Sequence, residues 1–166
     1  AWQREQHMSP DARIRKFNWQ DIGSFTCLFN EINELTDSGQ AYDIELMRQF
    51  LSQPSCQPED NCYLADDDGS LVGFAMMAAE LQIGRIVASG GVSATHRNKG
   101  IGRRLTRCAV EHATGLKASV LNIQVPSKAE PASHIMASEG FSVVRSYWQM
   151  RWEGDQAPAS NLPDEF

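Results

Sequence analysis

Residues 91–104, GVSATHRNKGIGRR, gather Arg97, Lys99, Arg103 and Arg104 around Gly100 and Gly102, with His96 just ahead of them. They do so in a chain whose formal net charge is −6. Small and β-branched residues lead into the segment and an amphipathic pattern follows it, so it reads as strand, glycine-rich turn and helix start. That arrangement suits an anion. The first backbone N–H groups of a helix lack intrahelical partners and carry the positive end of the helix dipole. Glycine lets the backbone curl until successive N–H groups converge, and bulky side chains at Gly100 or Gly102 would block the approach. Two other phosphate loops fit poorly. No Gly-Lys-Ser/Thr occurs, as a Walker loop requires, and the third glycine of a dinucleotide fingerprint would fall on Leu105.

Several elements must hold this turn in place. ARIRKF (12–17) alternates as a short strand. Asp21 then precedes Ile22, Phe25, Phe29, Ile32 and Leu35, whose spacing predicts an amphipathic helix. TDSGQ (36–40) breaks it, and a shorter helix follows with Ile44, Met47, Phe50 and Leu51 on one face. PSCQPED (54–60) reads as a loop. Residues 62–81 read as a hairpin around Asp68-Gly69, because such a turn demands positive φ. A further strand ends near Val92. After the glycine turn comes a helix with Ile101, Leu105, Cys108 and His112 on one face, then a strand at 120–125 and a short helix within 126–140. FSVV (141–144) and SYWQMRW (146–152) predict two last strands, with Trp148, Met150 and Trp152 alternating on one side. The order β-αα-β-β-β-α-β-α-β-β predicts an α/β (α+β) fold, one sheet with helices on both faces.

Bulk properties narrow the function. The chain has 166 residues, of which 42% are hydrophobic and 22% charged, as expected of one globular domain. The first eleven residues and residues 154–166 are polar and contain proline, so 12–153 is expected to be the domain, with an N-terminal extension or linker and a loose tail. The acidic balance argues against nucleic-acid binding. No apolar run approaches the roughly 18 residues of a membrane span, and the N-terminus has no signal-peptide core. Cys27, Cys56, Cys62 and Cys108 form no C-x-x-C pair, which predicts reduced thiols in a cytoplasmic protein and no zinc or other metal site.

Arg97-Asn98-Lys99-Gly100-Ile101-Gly102 resembles the R/Q-x-x-G-x-G/A motif of the GCN5-related N-acetyltransferases, the GNAT superfamily. Glu139-Gly140-Phe141 is similar to the family's Gly-Phe corner before its last hairpin, and the element order over roughly 12–152 agrees. The resemblance implies a mixed, mostly antiparallel sheet of about seven strands, splayed between the fourth and fifth. It implies acetyl-CoA as co-substrate and no metal. The pantetheine arm would lie along Gly90, Gly91 and Val92, and the pyrophosphate on N–H groups of the Arg97–Arg103 loop, which includes Asn98, Lys99, Gly100, Ile101 and Gly102. Backbone N–H groups near Val92 would face the thioester carbonyl. The implied activity is acetyl transfer to a primary amine of a small molecule or peptide by direct attack. The implied alternative is a non-catalytic acyl-CoA-binding module, such as half of a tandem protein. The last hairpin leaves a homodimer open.

The chain departs from the family pattern where an acid is usual. Counting back from Gly140, Met136 stands where a tyrosine is frequent, Ala129 where an asparagine is frequent, and Ala94 replaces a frequent proline. Ser133, one helical turn before Met136, is the remaining candidate acid. No carboxylate lies within 85–92, so Glu80 is the nearest candidate base. Glu31 and Glu34 fall where the family builds its acceptor pocket. His96 reads as a rim residue, His134 as surface, and His112 as a core or boundary histidine.

Overall fold

A computed structural model describes residues 12–36 and 41–148. Strands β1 (Arg13–Lys16), β2 (Cys62–Asp67), β3 (Ser70–Glu80), β4 (Arg85–Val92) and β5 (Val120–Ile123) form one sheet in the order β1-β2-β3-β4-β5. The first three pairings are antiparallel and β4 pairs with β5 in parallel. A parallel step needs a long crossover. The helix α4 (Ile101–Gly115) supplies it. The β2–β3 turn is the expected one: Asp68 and Gly69 have φ of +49° and +84°.

β3 is buried along most of its length because both sheet faces are covered. Alternation sends Phe74 and Met76 to one face, where α1 (Ile22–Thr36) and α2 (Ile44–Leu51) cover them with Phe25, Ile32, Met47 and Leu51. Ala75 and Met77 point the other way, onto α4: Ile101 and Leu105 pack with Val72 and Ala75, and Ala109 and Ala113 pack with Met77 and Ile86. Ile44, expected on the buried face of its helix, is the first residue after the Asp43 cap and is 51% exposed. Residues expected to be loop contain a single helical turn, α3 (Pro58–Asn61), with proline at its start. All four cysteines are free thiols, and burial pushes Cys62 far above its ordinary range.

The helix α5 (Glu130–Ser138) ends as its Gly-Phe pair requires. Gly140 has φ of +89° and donates to Ala137 at 3.2 Å, while the Phe141 N–H reaches back to Met136 at 3.0 Å. This is the paired closure of a Schellman motif. Past it the expectation fails. Residues 141–148 form no strand, so the described sheet has five strands rather than about seven. Val143, Val144, Tyr147 and Trp148 alternate with polar residues imperfectly and stand exposed. Alternation states a preference for a pleated surface, whereas a strand exists only where a neighbour accepts its ladder bonds. Met150, Trp152 and both expected terminal segments lie outside the described residues.

Candidate cofactor cleft

β5 pairs along its whole length, but only with the first half of β4. The register runs from Arg85↔Val120 to Ala88↔Ile123, and the Gln124 N–H still reaches the Ala88 carbonyl at 3.1 Å. β4 continues alongside β3 through Ser89, Gly90, Gly91 and Val92, opposite Met76, Ala75, Phe74 and Gly73. The end of β4 therefore has a sheet partner on one side only. Alternate strand residues turn their backbone groups to the same edge. Ala88 faces β5, so Gly90 and Val92 face the opening, while Ser93 turns its N–H back to Val72 at 2.9 Å. The Val92 carbonyl accepts from Arg97 Nε at 3.4 Å. The backbone of Gly90 and the N–H of Val92 face a gap that an extended ligand could enter as an added strand.

The two glycines also have packing reasons to be there. A Cβ on Gly90 would lie 2.3 Å from the Phe74 carbonyl oxygen, and one on Gly91 would lie 2.6 Å from Ile32 Cγ2. Their absence of side chains brings β3 and α1 close to the open edge.

From β4 the chain passes through a short 3-10 turn (Ala94–His96) into the glycine loop. Asn98 and Gly100 are left-handed, with φ of +61° and +78°. Gly100 caps α4 without a side-chain bond, and no acidic residue occupies the first turn. The first intrahelical bond runs from the Arg104 N–H to the Gly100 carbonyl at 3.1 Å. The N–H groups of Ile101, Gly102 and Arg103 therefore leave the helix end without intrahelical acceptors. A Cβ on Gly102 would meet Ile135 Cδ1 at 3.4 Å, which places α5 beside the loop. Between them lies an open cleft of about 510 Å³ lined by Asn98, Glu130, Pro131, His134 and Ile135. His134, expected at the surface, is exposed and stands on its wall. A smaller cleft of about 240 Å³ sits elsewhere, between α4 and the Leu121–Phe141 side.

The four rim cations divide. Arg103 bonds Ser138 Oγ and Glu139 Oε1, both at 3.1 Å, and Arg104 donates to the Ala12 carbonyl at 2.8 Å. These two guanidinium groups tie α4 to α5 and to the start of β1. Arg97 and Lys99 make no ion pair with another described residue and remain the loop's available charge. Arg107 also holds Glu139, at 3.0 Å, and this contact keeps the Glu139 carboxyl below its ordinary range.

The candidate proton-transfer residues are scattered. Glu80 pairs with Arg85 at 2.5 Å, at the start of β4. Gly90 is five residues further along, about 17 Å at the usual rise per residue. Ser133 is exposed on α5 and Met136 half-buried. Glu34 is exposed, whereas Glu31 reaches the end of β4 and accepts from the Ala94 N–H at 3.3 Å. His112 bridges Asn61 and Tyr63 on the α4 face, away from the opening. His96 is not a simple rim residue: its ring is bonded to Asp67, Ser93 and Thr95. No local pattern announces the Asp67 contact, because the two residues lie 29 positions apart on different elements.

A mixed sheet whose β4 runs on past its parallel neighbour β5, with a glycine-capped helix starting beyond that free end, is the architecture expected of an acetyltransferase of this kind. Residues 58–143, just over half of the chain, match the family model for the acetyltransferase (GNAT) domain, and the protein belongs to that family. The match begins at α3 and runs to the Gly-Phe corner. None of the curated proteins matches the chain in sequence. Among solved structures, a GNAT-family acetyltransferase from Streptococcus pneumoniae aligns with a TM-score of 0.67 at 21% identity, over 80% of this chain and 86% of that one. A ribosomal-protein-alanine N-acetyltransferase from Brucella melitensis gives 0.66 at 21% identity, over 78% and 84%. The yncA protein of Salmonella typhimurium, solved with its cofactor acetyl-CoA, gives 0.67 at 17% identity, over 80% of each chain. Among the described residues no group of three or more His, Cys, Asp or Glu could hold a metal, and no helix is long and apolar enough to cross a membrane.

Proposed function

We propose that this protein transfers an acetyl group from acetyl-CoA to a primary amine of a small molecule or peptide. The observation that carries the reading is the meeting of two unpaired backbone surfaces at one mouth. One is the open edge of β4 at Gly90 and Val92, and the other is the uncapped start of α4 at Gly100–Arg103. The first suits the amides of an extended pantetheine arm and the second suits a pyrophosphate. Arg97 and Lys99 add charge beside it.

Acetyl-CoA supplies an activated acyl thioester; the C–N bond forms as the C–S bond breaks. The Val92 N–H, aimed into the gap, stabilises the charge that develops on the carbonyl oxygen. The acceptor amine must first lose a proton. Glu80 is committed to Arg85 at the far end of β4, so a proton could reach it only through water. Glu31, held against Ala94, is the carboxylate nearest in contact to the end of the strand. Ser133 is the candidate acid, but a CoA thiolate leaves tolerably without one.

A second reading, a module that binds acyl-CoA without turnover, is favoured by Met136 in the place of the usual tyrosine. The two separate in one experiment. Both require acetyl-CoA to raise the melting temperature, since a ligand at 100 times its Kd stabilises the folded state by about 2.7 kcal/mol. Only the first requires thiol release when amines are added. The acceptor panel should include polyamines, aminoglycosides and peptides, among them peptides beginning with alanine in view of the Brucella relative. No thermal shift overturns both readings; a shift with no thiol release across the panel overturns the first.

A further inference from the structure

We infer that Asp67 and His96 form a brace that positions the cofactor loop, acting through the loop backbone rather than on the ligand; this rests on the acyl-CoA reading of the cleft. The loop leaves the sheet at Ser93 and re-enters the core at Ile101, both buried. Between those anchors it includes two left-handed residues, Asn98 and Gly100, a conformation disfavoured for residues with a side chain. Such a backbone persists only where its surroundings hold it.

His96 stands midway and uses both ring nitrogens. Nε2 lies 3.1 Å from Asp67 Oδ2, and Nδ1 lies 2.9 Å from Thr95 Oγ1 and 3.1 Å from Ser93 Oγ. With Nε2 protonated it donates to Asp67, and Nδ1 accepts from the hydroxyls. Asp67 is the last residue of β2, fixed by its ladder partner Ser70 and by the tight Asp68-Gly69 turn. The loop is thereby tied to the rigid tip of the β2–β3 hairpin. Glu31 holds the same turn from the α1 side through the Ala94 N–H. Both partners of the pair show only 23% of their side chains, so the contact is partly shielded from water and salt.

An electrostatic role makes the opposite prediction for one partner. If His96 merely masked the Asp67 charge from an anionic ligand, Asp67→Ala would tighten CoA binding and His96→Ala would weaken it. A brace requires both to weaken it.

The experiment measures the CoA dissociation constant by calorimetry for the full chain, Asp67→Ala, His96→Ala, the double variant and Asp67→Asn, well below each melting temperature. It also measures amide hydrogen exchange without ligand. Each alanine variant is expected to lose about tenfold in affinity, equivalent to about 1.4 kcal/mol. The double variant is expected to lose no more than either single variant, since the brace is already broken. Asp67→Asn keeps an oxygen acceptor for Nε2–H and is expected to stay within threefold of the parent. Exchange should quicken at His96 and Arg104, whose N–H groups are bonded to the Ser93 and Gly100 carbonyls at the two ends of the loop, and stay unchanged in β1, β2 and α2. Affinity within twofold in both alanine variants, a tightening in Asp67→Ala, multiplicative losses in the double variant, or faster exchange throughout would each overturn the brace. Failure of the unmodified chain to bind CoA overturns the acyl-CoA reading instead, and the exchange pattern then still decides whether the pair holds the loop.

Discussion

Replacing Gly90 by alanine tests the geometry of the open edge directly. The added Cβ would lie 2.3 Å from the Phe74 carbonyl oxygen and 3.1 Å from Ala75 Cα. An ordinary carbon–oxygen contact is about 3.3–3.6 Å, so the strands must separate by about 1 Å. Both obstacles are backbone atoms of β3, the most buried strand, and neither can rotate aside. Overpacking of this kind costs about 1–3 kcal/mol, and a backbone obstacle places Gly90→Ala near the top of that range. For a chain of this size about 3 kcal/mol lowers the melting temperature by roughly 6–12 °C. The shift also moves Gly90 and Val92 where the thioester would sit, and a misplacement of about 1 Å can cost about a hundredfold in turnover. Gly91→Ala is the matched control. The three atoms nearest its Cβ all belong to the Ile32 side chain, with Cγ2 at 2.6 Å. Removing that side chain with Ile32→Ala should offset part of the cost, so the pair of substitutions should be less damaging than the sum of the two. Urea unfolding and CoA calorimetry read both effects. A Gly90→Ala variant that melts within 2 °C of the parent and binds CoA equally well would refute the close approach of β3 and the role given to the edge.

The remaining predictions concern the loop, one histidine and one helix end. Gly102→Glu places a carboxylate in the first turn of α4, where the dipole favours it by about 0.3–1 kcal/mol; the melting temperature should hold or rise while CoA binding, read by calorimetry, is lost. Gly100→Glu should lose binding too but melt lower, because φ of +78° strains any side chain. His112 is held below the ordinary histidine range, first by burial and then by Lys16. Its neutral ring satisfies Asn61 through Nε2–H and Tyr63 through Nδ1. The unfolded chain therefore takes up its proton first as pH falls below about 6.5, and stability declines from there towards the folded value. Melting curves from pH 7.5 to 5.5 should show that decline, flattened in His112→Gln; equal slopes would contradict it. Lys117 occupies the left-handed position after α4 with φ of +56°. Lys117→Gly should stabilise the protein by about 0.5–1 kcal/mol, read by urea unfolding.

What was legible in the sequence is what neighbouring residues decide among themselves. Asp68-Gly69 is a turn because two adjacent residues must take positive φ, and both do. Gly140-Phe141 ends α5 because a glycine closes the Schellman bonds to Ala137 and Met136. Gly100 opens α4 with its N–H groups uncapped for the same local kind of reason. The strand pattern at 141–148 was misleading because its alternation says nothing about which edge would accept it. The partners of the charged side chains are hidden from local sequence in the same way. Arg103 and Arg104 sit beside the glycines in the chain yet spend their guanidinium groups on Ser138, Glu139 and Ala12, and His96 is bonded across to Asp67.

The same distinction makes the proposed cofactor half of the cleft more legible in the sequence than the proposed catalytic half. A pyrophosphate seat and an open strand edge are made of backbone, and their shape follows from glycine positions and helix ends. A base is a side chain that must be carried to the reacting atoms by a fold. Glu80 is the acidic residue nearest β4 in the sequence, yet it is clamped at the wrong end of that strand by Arg85. Glu31 is 63 residues from Ala94 and touches it. Proximity along the chain therefore selects the carboxylate that the sheet keeps apart from the opening. The one that meets the end of β4 arrives on α1, the helix that packs Ile32 over Gly91. A Glu31→Gln variant that binds CoA like the parent but loses thiol release with every accepted amine is the outcome this geometry leads us to expect. Undiminished thiol release in that variant would return the proton to bulk water.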